Sequence, residues 1–367
     1  MKLLVDAHLF DEQHQGTRTY LKGLYSELIP IAKDWHFFLV AHDIENLKSE
    51  FGNYQNVTYI PLKRRNKFYR LFLELPLIIK KYNIDYAHYQ YISPLIKNSK
   101  LIITTHDILF EQKEFKKFFP VKYRLLNSFL FKISAKRADV LLTVSNYSKN
   151  RISKLYRIDE HKISITPNAA SATFSKQNIK KNKAISNLGK YILYVSRIEP
   201  RKNHLNLLKA FLDLNLISKG YKIVFIGKKD ILFNDLKVFL DQMDSKCKES
   251  VVWLENVSNQ DLKDYYQNCE LFVFPSFAEG FGIPPLEAML YNKKLLCSNS
   301  TAMADFELPE AITFDPSNLE ELKLKMKTQL NTSFHMEAVY KQVLSKYNWQ
   351  TISKDFYKLL NHHYKAC

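Results

Sequence analysis

The sequence predicts an α/β protein built from two doubly wound domains, each with a parallel sheet covered by helices. Three observations carry that prediction. Short apolar runs alternate with amphipathic stretches along the whole chain, the pattern of βα units. A polar, lysine-rich stretch without clear periodicity, 171–188, falls near the middle and reads as a linker region. The length, 367 residues, suits two domains of ordinary size, each able to bury its own core. The domains are placed at 1–172 and 173–348, with a last helix over 349–367.

In the first half the expected strands are Lys2–Ala7, His36–Ala41, Val57–Leu62, Tyr86–Tyr89, Leu101–Thr105 and Val140–Val144. The first of these is a strand rather than a signal peptide, because Asp6 and His8 interrupt its apolar run. In the second half they are Tyr191–Val195, Lys222–Ile226, Val251–Leu254, Leu271–Phe274, Lys294–Cys297 and Ile312–Phe314. Doubly wound domains facing across a cleft are expected to bind ligand at the carboxyl ends of their strands.

Hydrophobic content of 46% and charged content of 25% are those of a soluble globular protein. Cys247, Cys269, Cys297 and Cys367 show neither metal spacing nor a disulfide framework, which suits a reducing cytosol. No uncharged apolar run approaches the ~20 residues that span a bilayer. The net charge of +17 is concentrated. Residues 63–81 hold seven Lys/Arg against Glu74 alone, and 113–137 hold eight against Glu114 alone. Both segments interleave cations with large apolar residues: Phe68, Tyr69, Leu71, Phe72 and Leu73 in one, Phe115, Phe118, Phe119, Leu125, Leu126, Phe129 and Phe131 in the other. A basic face beside an aromatic one suits an interfacial helix on anionic lipid, with Lys116, Lys117, Lys122 and Arg124 as the contacting cations. The alternative is that the aromatics face the core and the lysines are only solvated. No helix-turn-helix, RNA-recognition or zinc-finger pattern supports nucleic acid as the partner.

The densest signal is Phe274-Pro-Ser-Phe-Ala-Glu279-Gly-Phe-Gly-Ile-Pro-Pro-Leu-Glu287-Ala-Met289. An apolar strand runs into it and a helix-like run leaves it. Pro284 and Pro285 belong in a helix first turn, where a missing N–H costs nothing. The amides of Phe281, Gly282 and Ile283 therefore sit at a helix N-terminus, which attracts phosphate, and glycine at 280 and 282 lets the backbone approach a ligand. Glu279 and Glu287 flank the cradle. After the strand Tyr191–Val195 comes Ser196-Arg197-Ile-Glu-Pro-Arg201-Lys202-Asn203-His204, three cations at a strand-to-helix turn where a pyrophosphate could be held, with Asn203 expected to cap the following helix. Leu101–Thr105 leads into His106-Asp107, a histidine at a strand's carboxyl end that could donate a hydrogen bond to a ligand or share in proton transfer. Gln15-Gly16-Thr17 lies between the first strand and a helix-like run.

Together these passages resemble the retaining glycosyltransferases of family 4, which have the GT-B fold: two Rossmann-like domains facing across a cleft, with a final helix returning to the N-domain. The Glu279-x7-Glu287 spacing matches that family's E-x7-E signature. The resemblance implies that Arg197 and Lys202 bind the donor diphosphate, that Gly16 belongs to a loop near the donor phosphates, that Glu279 touches donor-sugar hydroxyls and that Glu287 accepts from the ribose. It places Gly227, Lys228 and Val257 near the base and ribose. Retention in this fold is explained by front-face attack assisted by the leaving phosphate, so neither glutamate has to be a nucleophile. No Asp-x-Asp metal motif occurs, so Arg and Lys rather than Mg²⁺ are expected on the diphosphate, with no cofactor besides the nucleotide sugar. The spellings Glu199-Pro-Arg-Lys-Asn203 and Ile283-Pro-Pro285 are similar to those of bacterial mannosyl- and rhamnosyltransferases. They favour GDP-mannose over a UDP-linked hexose or N-acetylhexosamine, with a lipid-linked or membrane-proximal glycan as acceptor in O-antigen, capsule or lipopolysaccharide assembly. The expected location is the inner face of the cytoplasmic membrane. A sugar-nucleotide epimerase of the same fold and a non-catalytic membrane-bound scaffold are the rival readings.

Overall fold

A computed structural model describes residues 1–11, 16–170, 185, 187–229, 233–333 and 335–365. Gln15, most of the 171–188 linker, the 172/173 boundary and Cys367 lie outside the described residues. The chain divides into two compact units, Met1–Gln112 with Phe119–Ala169 and Tyr347–Cys367, and Lys113–Phe118 with Ala170–Lys346.

The first unit holds a seven-stranded sheet of β1 (Lys2–Asp6), β2 (His36–Ala41), β3 (Val57–Pro61), β4 (Tyr86–Gln90), β5 (Lys100–Thr104), β6 (Val140–Thr143) and β7 (Ile163–Ile165), in the order β3-β2-β1-β4-β5-β6-β7. The second holds β8 (Lys190–Val195), β9 (Tyr221–Ile226), β10 (Val251–Leu254), β11 (Leu271–Phe274), β12 (Leu295–Ser298) and β13 (Thr313–Phe314), in the order β10-β9-β8-β11-β12-β13. Every pairing is parallel. Helices cover both faces, so the central strands are buried along their length, as β4 and β12 are. All twelve expected strands form. The structure adds β7, three residues that no periodicity could reveal and that pairing with β6 defines.

In both sheets the chain winds one way from the central strand and then reverses, between β1 and β4 in one and between β8 and β11 in the other. Loops leaving adjacent strands at such a point diverge and leave a crevice at the strands' carboxyl ends.

The final helix, Trp349–Lys365, belongs to the first unit and lies on helix Gly16–Ile31. Ser353 Oγ donates to the Leu24 carbonyl at 2.8 Å, and Trp35 Nε1 donates to Asn361 Oδ1 at 3.1 Å. Gly23 makes the contact possible, since a Cβ there would fall 2.0 Å from the Trp349 ring.

In the basic segment 113–137 some of the large apolar side chains are covered and others are exposed. In helix Val121–Arg137, Phe131 is buried in the core while Val121, Leu125, Leu126 and Phe129 are exposed, Leu125 at 72% and Phe129 at 67%. Lys116, Lys117 and Lys122 are exposed and Arg124 is half-buried. Phe118 stacks on Phe277, ring centroids 6.0 Å apart. Among the described residues no helix is long and apolar enough to cross a membrane.

Candidate active site

The crevice between β8 and β11 brings the two densest motifs together. β8 leads through Ser196 and a short 3-10 turn, Pro200–Lys202, into helix His204–Asp213. β11 leads through Pro275–Gly282 into helix Ile283–Leu290. The Phe277 amide donates to the Arg201 carbonyl at 2.8 Å, tying the two loops.

At the centre Lys202 Nζ donates to Glu279 Oε1 at 2.5 Å, and Arg201 Nη1 donates to Glu279 Oε2 and to the Ala278 carbonyl, both at 2.9 Å. The Glu279 amide donates to Thr301 Oγ1 at 2.9 Å. Burial would raise the Glu279 carboxyl, but Lys202 and Arg201 outweigh it and hold the group down at about 2. Burial and the Arg201 charge lower Lys202, and Glu279 opposes them. Glu199 accepts from Arg201 Nε at 2.9 Å and pairs with Arg197 Nη2 at 2.9 Å. Three cations thus share two carboxylates. An ammonium has three donors and a guanidinium five, so the set can take up phosphate oxygens while still holding Glu279.

Arg201 ranked below Arg197 and Lys202 on sequence grounds, yet it is the arginine that reaches Glu279. The signal was its position directly before Lys202 on one tight turn. Arg197 has a side chain 47% exposed and pairs with Glu199. Asn203 corrects an expectation. It stands at the helix N-cap position with φ +60°, but its side chain makes no cap and donates to the Pro275 and Pro316 carbonyls at 3.0 and 2.9 Å. Those bonds pin the cationic turn to the end of β11. The Tyr194 hydroxyl, donating to the Lys202 carbonyl at 2.7 Å, fastens it from below.

The other residues expected on the donor side fall as follows. Gly282 caps helix Ile283–Leu290 with φ +102°, a conformation that favours glycine, and the Phe281 ring is buried against Phe306. Gly280 precedes them, and Ile283 opens the helix, half-buried. Glu287 accepts from the Tyr266 hydroxyl at 2.7 Å, and burial pushes its carboxyl up to about 7 despite that bond. Gly227 has φ +150°, and a Cβ would lie 2.1 Å from the Ser196 carbonyl oxygen, so this glycine lets the β9 turn approach the cationic loop. Lys228 is exposed and its carbonyl accepts from the Ile198 amide at 2.9 Å, while Val257 is half-buried after Asn256 at φ +55°. Among the described residues no group of His, Cys, Asp and Glu is placed to hold a metal ion.

In the first unit His106 follows β5 and is buried, its Nε2 2.7 Å from Gln90 Oε1 and its ring edge-on to Tyr20 at 4.9 Å. Burial lowers it to about 3, so the imidazole is neutral. Gly16 opens helix Gly16–Ile31, and a Cβ at this position would meet nothing within 4 Å.

Residues 16–173 match the family described as Glycosyltransferase Family 4, and residues 175–343 match Glycosyl transferases group 1. The chain belongs to this glycosyltransferase family. It is 33% identical over 211 residues to the O-antigen chain mannosyltransferase RfbU of Salmonella typhimurium, covering 56% of this chain and 53% of that protein. The chain therefore spans about half the length of that relative. It is 25% identical over 359 residues to O-antigen chain mannosyltransferase B of Escherichia coli, covering 88% of this chain and 92% of that protein. A glycosyltransferase from Rickettsia africae superposes with a TM-score of 0.73 at 18% identity, over 100% of this chain and 99% of that one. The two parallel α/β sheets and this likeness establish the GT-B fold.

Proposed function

We propose that the protein is a retaining, metal-independent hexosyltransferase. It moves mannose from GDP-mannose to a lipid-linked or membrane-proximal glycan in O-antigen, capsule or lipopolysaccharide assembly. The observation that carries this reading is the buried Lys202–Glu279–Arg201 cluster at the carboxyl ends of β8 and β11, a cationic site next to a helix N-terminus. The O-antigen mannosyltransferases among its relatives favour mannose. In the reaction the bond between the sugar C1 and the phosphate oxygen breaks. The acceptor hydroxyl forms the new bond on the same face and its proton passes to the leaving diphosphate. Lys202 and Arg197 oppose the charge that gathers there, an effect strongest in the transition state. Glu279 takes donor-sugar hydroxyls, Glu287 takes the ribose, and His106 meets a sugar hydroxyl. No cofactor is needed beyond the nucleotide sugar.

Thermal stabilisation by GDP, UDP and dTDP, with Lys202→Ala alongside, tests the reading, because a ligand stabilises the folded state with the logarithm of its saturation. The expected result is a shift with GDP that shrinks in the variant. A shift with UDP alone reassigns the donor, and no shift with any of them removes the nucleotide-sugar site. Turnover that releases nucleotide only when acceptor glycan is present separates a transferase from an epimerase. A Glu279→Gln variant that still supports glycan assembly would revive the scaffold.

A peripheral place on the inner face of the cytoplasmic membrane is part of the same proposal. Its support is helix Val121–Arg137, where exposed Val121, Leu125 and Phe129 recur at helical spacing beside Lys122.

A further inference from the structure

Behind His106 a row of buried polar side chains crosses the sheet to helix Gly16–Ile31. His106 Nε2 lies 2.7 Å from Gln90 Oε1, and Gln90 Nε2 lies 3.2 Å from His88 Nε2. Thr104 Oγ1 lies 2.7 Å from that same His88 nitrogen, and the Tyr25 hydroxyl lies 2.6 Å from His88 Nδ1. The arrangement follows from register. His88 and Gln90 are two apart on β4 and share a face, and Gln90 pairs with Thr104 of β5. Phe356 of the final helix stacks on His88, ring centroids 6.0 Å apart. His88 and Thr104 have no exposure at all, and Gln90 and His106 have little.

Inside such a row the amide of Gln90 sorts the protons. Its carbonyl oxygen can only accept and its NH₂ can only donate. With the amide turned this way, His106 Nε2 carries the proton that Gln90 Oε1 receives. His88 Nε2 is bare and accepts from the amide and from Thr104, which leaves the His88 proton on Nδ1 for the Tyr25 hydroxyl. Burial lowers both imidazoles to about 3, His106 adding to the effect on His88, so neither ring carries a second proton at neutral pH. A neutral imidazole has one N–H. With that N–H given to Gln90, Nδ1 of His106 is an acceptor.

We propose that Gln90 is a positioning residue that fixes His106 in its Nε2–H tautomer, so that His106 Nδ1 accepts a hydrogen bond from a hydroxyl of the sugar substrate. This rests on the transferase reading above and narrows it, deciding between a histidine that donates to the sugar and one that accepts from it. The row admits only two proton arrangements, because turning the Gln90 amide over reverses every link and puts the His106 proton on Nδ1. The two make opposite predictions.

The test uses the full-length protein with nitrogen-labelled histidine, comparing wild type, Gln90→Leu and Gln90→Glu. In the wild type the ¹⁵N shifts of His106 should show a protonated Nε2 and a bare Nδ1. Gln90→Leu should mix the tautomers and lower kcat by up to about 10-fold, the scale of one weakened hydrogen bond in the transition state, with KM for the nucleotide sugar little changed. Gln90→Glu keeps an acceptor at Nε2 and should retain the tautomer. Its carboxylate favours the imidazolium, so the acid limb of the pH–rate profile should move to higher pH. An Nδ1–H tautomer in the wild type overturns the proposal, as does a His106 spectrum unchanged in Gln90→Leu. Should Gln90→Leu fail to fold, the wild-type tautomer and the Gln90→Glu profile still decide. Thermal stabilisation by nucleotide separates the two readings: its absence in the wild type brings down the transferase and leaves the tautomer result standing.

Discussion

Glu279 shows how a single carboxylate can be both buried and ionised. Taking it from water is costly, and the ammonium of Lys202 and guanidinium of Arg201 at hydrogen-bond distance repay that cost. Its depression from 4.5 to about 2 corresponds to stability on the order of 3 kcal/mol at neutral pH. Because the folded-state value is the lower one, that stability is present above the ordinary carboxyl range and is lost as pH falls towards 2. The difference in urea-unfolding free energy between wild type and Glu279→Gln should therefore shrink as pH falls from 7 to 3. A difference that does not change with pH would contradict the ion cluster. Glu287 behaves in the opposite sense. Burial raises it to about 7, and its ionised form is the better acceptor for ribose hydroxyls. Affinity for a nucleoside diphosphate should rise between pH 6 and pH 8 by more in wild type than in Glu287→Gln, which calorimetric titration at the two pH values would read. Equal slopes would free Glu287 of the ribose role. None of these partners was written in the spacing. The E-x7-E pattern located both glutamates, but that Arg201 rather than Arg197 would close on Glu279 depended on how the Pro200–Lys202 turn folds.

Among the elements, the final helix carries the sharpest test. Gly→Ala inside a helix ordinarily gains ~1 kcal/mol. At Gly23 the added carbon would meet the Trp349 ring at 2.0 Å, so the sign should reverse. Overpacking of this kind costs about 1–3 kcal/mol, and Gly23→Ala should lower the unfolding free energy by that amount in urea titration. A stabilised variant would mean that the helix does not dock where the structure has it. Across the two sheets, twelve strands were legible because apolar runs bounded by turn residues mark them. β7 was not, because Ile163–Ile165 has three residues and no pattern of its own. Asn203 was misread for a related reason: asparagine ahead of a helix has the composition of a cap, and only the carbonyls of Pro275 and Pro316 drew its side chain elsewhere.

For the whole molecule, an excess of seventeen positive charges, most of it in two segments that also expose apolar side chains, sets how it meets other surfaces. Co-sedimentation with vesicles containing anionic lipid should fall when Lys116, Lys117, Lys122 and Arg124 are replaced by glutamate. It should fall again when Leu125 and Phe129 are replaced by aspartate, and rising salt should weaken what remains. Binding unchanged by both sets would leave the segment as a solvated helix.

The sequence by itself determined the class of architecture, the parallel character of its sheets and the strands whose ends carry the site. Those follow from periodicity and from residue types that tolerate few backbone conformations, and both are local properties. Tertiary structure alone decided which cations share Glu279, where the Asn203 side chain goes, which of the aromatics in 113–137 are covered, and how His106 is oriented through Gln90 and His88. Lys202 and Glu279 stand 77 residues apart and meet because β8 and β11 are neighbours in the sheet, an order that no single segment encodes.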